Sequence, residues 1–184
     1  QEGKPKVFIL RELIANAFDE DITECRVTLE MGFRKINAKV IDDSPEGFRD
    51  LTDSFTLFKE TYKRTDPTKR GRFNLGEKQA FCRCTYAKIE TTKGSVFFDQ
   101  NGRHSGRTKR KEGSQKIKIS FGANRKDFDE ILSIIKTYLP PKNVKYLVNK
   151  ELIPYRKPHK ITSASLTTEK LEDGTFRRTT RKTD

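Results

Sequence analysis

The chain has 184 residues, a net charge of +13 and 35% charged residues, a length that suits one domain or one domain with a fragment of another. Its thirteen Phe and five Tyr favour a folded globular chain over a disordered one. No apolar run approaches the ~20 residues that span a bilayer, and no secretory leader pattern is present, so we expect a cytoplasmic protein with no membrane partner.

The first predicted element is a helix over about residues 6 to 19. Apolar residues repeat at core spacing along it: Leu10, Leu13, Ile14 and Ala17. Glu12, Asn16 and Asp19 stand at i, i+4 and i+7 and therefore share another face. This polar stripe is bordered by apolar residues, so we predict that it lines a cavity. The alternative is a core helix whose polar stripe is satisfied internally.

A strand pair follows this helix. Residues 24–30 and 35–41 alternate between apolar and polar side chains, and the short link between them indicates a hairpin. The second strand runs into Asp42 and Asp43, which precede a turn formed by Pro45 and Gly47. Two carboxylates are therefore predicted at the end of this strand.

The middle of the chain begins with a short helix at about 51–62 and a basic stretch up to Gly71, which we interpret as a mobile cover. A glycine-punctuated loop from Gly71 to Lys78 leads into a short helix at 79–83. Turn signals then separate four strands at about 84–91, 94–99, 103–110 and 115–121, which we interpret as an antiparallel meander.

The last third contains an amphipathic helix at about 125–138, ended by Pro140 and Pro141, then a strand near 144–148 and a short partner near Leu152. Residues 163–168 and 176–180 are typical of a polar hairpin. We therefore expect one domain over residues 1–155 and, over residues 156–184, the start of a following domain.

The roles of the cysteines and of the basic clusters can be considered from their number and spacing. Cys25, Cys82 and Cys84 are too few for a disulfide framework, and Cys82 and Cys84 lack a second pair for zinc, so we interpret all three as reduced structural thiols. Basic residues cluster at 59–72 and 103–111. These clusters are either solvated loops and edge strands or a surface that binds nucleic acid.

Four motifs, taken in order, resemble those of the GHKL group of ATP-binding proteins, over about residues 6 to 155. This group includes gyrase-type and archaeal-type topoisomerase subunits, a heat-shock chaperone, mismatch-repair MutL and sensor histidine kinases. The matching motifs are Glu12, Asn16 and Asp19 on the helix; the turn from Asp42 to Gly47; the loop from Gly71 to Gly76; and Gly113 with Ser114 before a core strand.

The resemblance implies an α+β fold of the Bergerat type, a two-layer α/β sandwich with a mixed, mostly antiparallel sheet and helices on one face. It implies ATP and Mg²⁺ as cofactors. Glu12 would be the catalytic base for water, Asn16 the metal ligand and Asp42 the acceptor for the adenine amino group. Further nucleotide-binding positions would be Gly47, Gly71, Leu75, Gly76, Glu77, Lys78 and Ser114, with Asp19 in a supporting position.

The function implied is Mg-ATP binding and slow hydrolysis by a module of a larger protein, with a lid at about residues 50–76 whose closure drives conformational change or a nucleotide-dependent homodimer. Glu12 favours hydrolysis, since histidine kinases of this group usually have Asn at that position. Two alternatives are a nucleotide-binding regulator that does not hydrolyse ATP and a DNA-binding module that uses the basic clusters.

Overall fold

A computed structural model describes residues 5–45, 76–110 and 116–157, together with the backbone of residues 162–170 and 176–183. The helices in these parts are α1 (Val7–Phe18), α2 (Gly76–Phe81) and α3 (Arg125–Ile135). The strands are β1 (Glu24–Gly32), β2 (Lys35–Asp42), β3 (Tyr86–Glu90), β4 (Ser95–Asp99), β5 (Gly102–Gly106), β6 (Lys116–Gly122), β7 (Lys145–Val148), β8 (Glu151–Ile153), β9 (Thr162–Lys170) and β10 (Phe176–Thr183).

Eight strands form one mixed sheet in the order β5-β4-β3-β6-β2-β1-β7-β8. Strands β1 and β7 pair in parallel, whereas the other neighbouring pairs are antiparallel. The helices lie on one side: α1 packs against β1, β2, α2 and α3, while α3 also contacts β1. The predicted α+β class, with a mixed sheet and helices on one face, is confirmed.

The core lies between the helices and the sheet because the strands alternate apolar and polar side chains. Inward residues of β1, β2 and β6 are almost completely buried: Cys25, Val27, Leu29, Ile36, Ala38, Val40, Ile117, Ile119 and Phe121. Two ring contacts join the layers, Phe18 of α1 against Tyr146 of β7 at 5.2 Å and Phe81 of α2 against Phe98 of β4 at 5.8 Å between centroids.

The predicted antiparallel meander is wrong in its last step. Strands β3, β4 and β5 do follow one another in the sheet, but β6 pairs with β3 and β2 rather than with β5. The composition explains this. Strand β6 has three buried apolar side chains that suit a central position, whereas β5 is short, polar and largely exposed, as expected for a sheet edge. It ends at Gly106, so residues 107–110 are not part of it.

The structure also differs from the prediction at the ends of two helices. Helix α3 ends at Ile135 rather than at 138, and the hydroxyl of Thr137 donates a hydrogen bond to the carbonyl of Ile134 at 2.7 Å in the turn that follows. Its start is fixed by a capping box between Asn124 and Asp127. Helix α2 begins at Gly76, inside the segment predicted to be a loop.

The remaining strands, β9 and β10, form a separate antiparallel pair. The two strands lie where the sequence predicts the strands of a polar hairpin, and the extension over 156–184 and the domain boundary near residue 155 stay predictions. None of the helices in the described parts is long and apolar enough to cross a membrane.

Candidate functional site

Helix α1 carries the predicted polar stripe along the border of its buried face. Its apolar face is buried, and Glu12 beside it keeps 22% of its side chain exposed. The Glu12 carboxylate lies 3.6 Å from Nε of Arg11. Asn16, one turn further on, is half-buried, and Asp19 at the helix end is buried at 4% exposure. The stripe thus runs from partly open at Glu12 to closed at Asp19.

The alternation of β2 separates two neighbouring carboxylates, Asp42 and Asp43. Asp42 is the last residue of β2 and points inward with the core residues, at 3% exposure. The backbone N–H of Ser44 donates to its Oδ1 at 3.1 Å, and Ser44 is itself buried. Asp43 is exposed. Of the two carboxylates, Asp42 therefore faces the layer that contains α1.

Asp43 closes the start of β1 instead. Its Oδ1 accepts hydrogen bonds of 2.9 Å from the backbone N–H groups of Thr23 and Glu24, and the Thr23 hydroxyl donates to its Oδ2. Burial alone would raise the pKa of Asp43, but these hydrogen bonds outweigh it and hold the pKa below its usual value. This carboxylate is therefore structural.

Replacing Asp43 with Asn should lower thermal stability in a pH-dependent way. A depressed pKa in the folded state gives stability that is present above the unfolded-state pKa of about 3.9 and is lost as the pH falls through the folded value. Because Asp43 is exposed and screened, we expect a Tm loss of only about 2–4 °C at neutral pH. Thermal melts from about pH 7 to pH 3 should show the gap closing, and a constant gap would contradict this assignment.

Helix α2 brings a buried lysine beside α1. Lys78 lies in α2, which packs against α1, and only 6% of it is exposed. Gly76 and Glu77 form the first turn of α2. The predicted loop therefore becomes helical at Gly76, so three predicted phosphate-binding positions belong to a short helix rather than to a loop.

Four predicted site residues lie outside the described residues: Gly47, Gly71, Leu75 and Ser114. The predicted helix at 51–62, the predicted lid at 50–76 and the basic cluster at 59–72 also lie outside them, except for Gly76 at the end of the lid.

Tyr138, which follows α3, is a residue with a buried hydroxyl that sequence reasoning missed. Within the described part of the chain its hydroxyl is buried without a hydrogen-bond partner. Burial raises its pKa; the charge of Arg11 opposes this rise and the charge of Glu12 adds to it. The position of Tyr138 in the predicted C-terminal turn of a helix gave no signal of this burial.

The three cysteines are free thiols: Cys25 is buried, Cys84 is partly buried and Cys82 is exposed. Burial raises the pKa of Cys25, and the nearby carboxylates of Asp42 and Asp43 raise it further, so this thiol stays protonated. In the residues that the structure describes, no group of three or more His, Cys, Asp or Glu side chains is placed to hold a metal ion.

Comparison with solved structures identifies the fold. The chain is similar to the ATPase region of Saccharomyces cerevisiae topoisomerase II bound to ICRF-187 (dexrazoxane), with TM-score 0.58, 18% identity, and coverage of 82% of this chain and 49% of that one. The chain shares its fold with this ATPase region. A second structure of the yeast ATPase region gives TM-score 0.56 and 17% identity, covering 80% and 48% of the two chains.

The ATPase and transducer domains of DNA topoisomerase II from Balamuthia mandrillaris show the same fold, with TM-score 0.57, 16% identity, and coverage of 81% of this chain and 48% of that one. The chain thus spans about half the length of the structures it matches. No protein-family profile matches the sequence, and no curated protein sequence matches it either. At these identities the likeness establishes the fold, and the roles of individual residues rest on their geometry here.

Proposed function

We propose that this chain is an ATP-binding module that uses Mg²⁺ and hydrolyses ATP slowly. One observation carries the proposal: α1, with Glu12 and Asn16, packs against β2, which ends in buried Asp42, and against α2, which contains buried Lys78. In this proposal the base and the amide oxygen lie on α1, and the adenine acceptor and the cation lie on the two elements that α1 contacts, β2 and α2.

Asp42 would recognise the base. The adenine amino group donates hydrogen bonds, and a carboxylate is an acceptor only. The Asp42 carboxylate, which accepts the Ser44 N–H at Oδ1, would also accept a hydrogen bond from the adenine amino group. Burial of this carboxylate makes a missing partner costly, and this favours adenine over a base that has an acceptor at the same position.

Asn16 would hold the metal ion. Mg²⁺ prefers oxygen ligands, keeps several waters and is commonly bound by few protein ligands together with substrate phosphates. One half-buried amide oxygen on the border of α1 fits that requirement. Bound Mg²⁺ would neutralise phosphate charge during phosphoryl transfer.

Glu12 would orient the attacking water and remove its proton. A general base must come within hydrogen-bond reach of the water, and the partial exposure of Glu12 leaves it accessible. A carboxylate at this position suits transfer to water, which needs a base.

The phosphates would lie near the start of α2. In this proposal the backbone N–H groups of Leu75, Gly76 and Glu77 bind phosphate oxygens, and Lys78 adds a positive charge. Gly47, Gly71 and Ser114 keep the supporting roles that the resemblance implies. Closure of a lid at about residues 50–76 would couple the nucleotide state to conformational change or dimerisation of a larger protein.

Replacing Asn16 with Ala tests the metal arm of this proposal. We expect the parent chain to bind ATP more tightly with Mg²⁺ than with EDTA, and the N16A variant to lose about tenfold in affinity with Mg²⁺ and little with EDTA, as for a lost charged-group contact of about 1.4 kcal/mol. Isothermal titration calorimetry measures both affinities.

The matched control is Asn101→Ala in the exposed turn between β4 and β5. It should bind Mg-ATP as the parent does. If the ATP affinity of the N16A variant depends on Mg²⁺ as the parent's does, Asn16 is not a metal ligand. If the parent chain binds no ATP, the whole proposal is refuted.

A further inference from the structure

The sheet face that turns away from the helices carries a row of lysines on three adjacent strands. Lys39 of β2, Lys118 of β6 and Lys88 of β3 lie directly opposite one another in the strand register. Phe97 of β4 and His104 of β5 continue the row, and their rings stack with centroids 4.7 Å apart. Positive charge and aromatic surface therefore share one line across five strands.

This row conflicts with ordinary sheet stability. Like charges directly opposite each other on neighbouring strands are destabilising, and here Lys118 faces a lysine on both sides. Such a local conflict is expected mainly at functional positions. An anion bound across the row would remove the repulsion.

Few carboxylates compensate these lysines. The Glu90 carboxylate forms ion pairs with Lys88 at 3.1 Å and with Lys116 at 3.2 Å. The Glu30 carboxylate lies 4.0 Å from the Lys39 ammonium. Within the described ranges, no carboxylate lies within 4.0 Å of the Lys118 ammonium. We call Lys39, Lys88, Lys116 and Lys118 the lysine face. It has four ammonium groups against two carboxylates.

The charges on the lysine face act on one another. Burial lowers the pKa of Lys118, and the ammonium of Lys116 lowers it further; Glu90 opposes the shift, and Lys88 and Lys39 add to it. Burial alone would raise the pKa of Glu90, but its bonds to Lys88 and Lys116 hold it below its usual value. Glu90 therefore stays ionised and paired with Lys88 and Lys116, whereas the neighbouring ammonium groups repel Lys118.

We propose that the lysine face binds the phosphate backbone of nucleic acid. Adjacent strands lie about 4.8 Å apart, so lysines opposite one another in the register start from neighbouring backbone positions and can reach successive phosphates of a polyanion. The stacked rings of Phe97 and His104, beside the lysine face, add aromatic surface on which sugars and bases can pack. Such a surface favours nucleic acid over an acidic peptide. The net charge of +13 supports attraction of a polyanion at long range.

The double variant Lys39→Gln with Lys118→Gln tests this site. Binding of the 184-residue chain to fluorescent single-stranded and duplex oligonucleotides would be measured by polarisation without ATP, over a range of salt concentrations. Losing two phosphate contacts should flatten the slope of log K against log salt by about 1.8 for duplex or about 1.4 for a single strand, and weaken binding about tenfold. The oligonucleotide that the parent binds more tightly at equal salt is the form that the lysine face prefers.

The matched control is Lys126→Gln with Lys142→Gln, which removes two exposed lysines outside the sheet. It should keep the parent's slope, and so should Lys39→Arg with Lys118→Arg, which preserves the charge. Because the Gln variant relieves repulsion, its Tm should stay equal or rise, and its ATP affinity should match that of the parent. These two readouts separate the lysine face from the nucleotide site.

Three results would overturn the proposal. The first is no oligonucleotide binding by the parent at about 50 mM salt, where phosphate contacts are strong. The second is equal loss in the Gln variant and in the Lys126 and Lys142 control. The third is competition by polyglutamate, or by vesicles of anionic phospholipid, as effective as competition by unlabelled oligonucleotide, because the face would then recognise negative charge in general.

Discussion

Replacing Glu12 with Gln should lower the rate of phosphate release by a factor of about 10²–10⁴, with ATP still bound at nearly the parent's affinity. Gln keeps the shape of the side chain but cannot accept the proton of the attacking water at neutral pH. The loss should therefore appear in kcat rather than in the dissociation constant of ATP. A coupled phosphate assay and calorimetry give the two quantities on the same protein.

The matched control for Glu12 is Glu130→Gln, an exposed carboxylate on α3. It makes the same chemical change away from the candidate site and should leave phosphate release unchanged. If the Glu12 variant releases phosphate at the parent's rate, Glu12 is not the base. If the parent binds ATP but releases no phosphate, the chain is a nucleotide-binding module without turnover.

Replacing Asp42 with Asn should invert the choice between ATP and ITP. The Ser44 N–H fixes the orientation of the side chain, because it donates to Oδ1, so an Asn amide would turn its NH₂ toward the base. That donor would repel the adenine amino group and would satisfy the carbonyl oxygen of hypoxanthine. We expect ATP affinity to fall about 10- to 150-fold, corresponding to about 1.4–3 kcal/mol for a buried charged-group contact, and ITP affinity to rise.

Asp43→Asn is the neighbour control for this experiment, since it makes the same change one residue away on the exposed side of the strand end. It should lower Tm modestly and leave the preference for ATP unchanged. Equal selectivity in Asp42→Asn and the parent would show that the base is recognised elsewhere. A preference that changes only in Asp43→Asn would show that the alternation of β2 misassigns the two carboxylates.

The parts of the fold that the sequence predicted well are those set by local periodicity. The polar stripe of α1, with Glu12 and Asn16 beside a buried face, and the β1–β2 hairpin both follow from spacing within one element. The position of β6 could not be predicted in the same way. Adjacent turn signals favoured a partner next in sequence, but β6 lies between β2 and β3 because burial of its apolar side chains requires a central strand.

Long-range register accounts for what the sequence left unresolved at the site. Asp42 and Asp43 are adjacent residues of the same type. In the structure they differ because the last residue of β2, Asp42, points into the core. The lysine face has the same origin: Lys39, Lys88 and Lys118 lie far apart in sequence and meet only through the pairing of three strands. A search for motifs along the sequence cannot detect such a row, because its residues are brought together only by strand pairing.

The most direct test of the account is a crystal structure of the chain with Mg²⁺ and a non-hydrolysable ATP analogue. We expect the adenine amino nitrogen at about 2.7–3.2 Å from a carboxylate oxygen of Asp42. We also expect Mg²⁺ at about 2.0–2.1 Å from the amide oxygen of Asn16. An analogue bound away from α1 and the end of β2, or a metal ion held without Asn16, would contradict it.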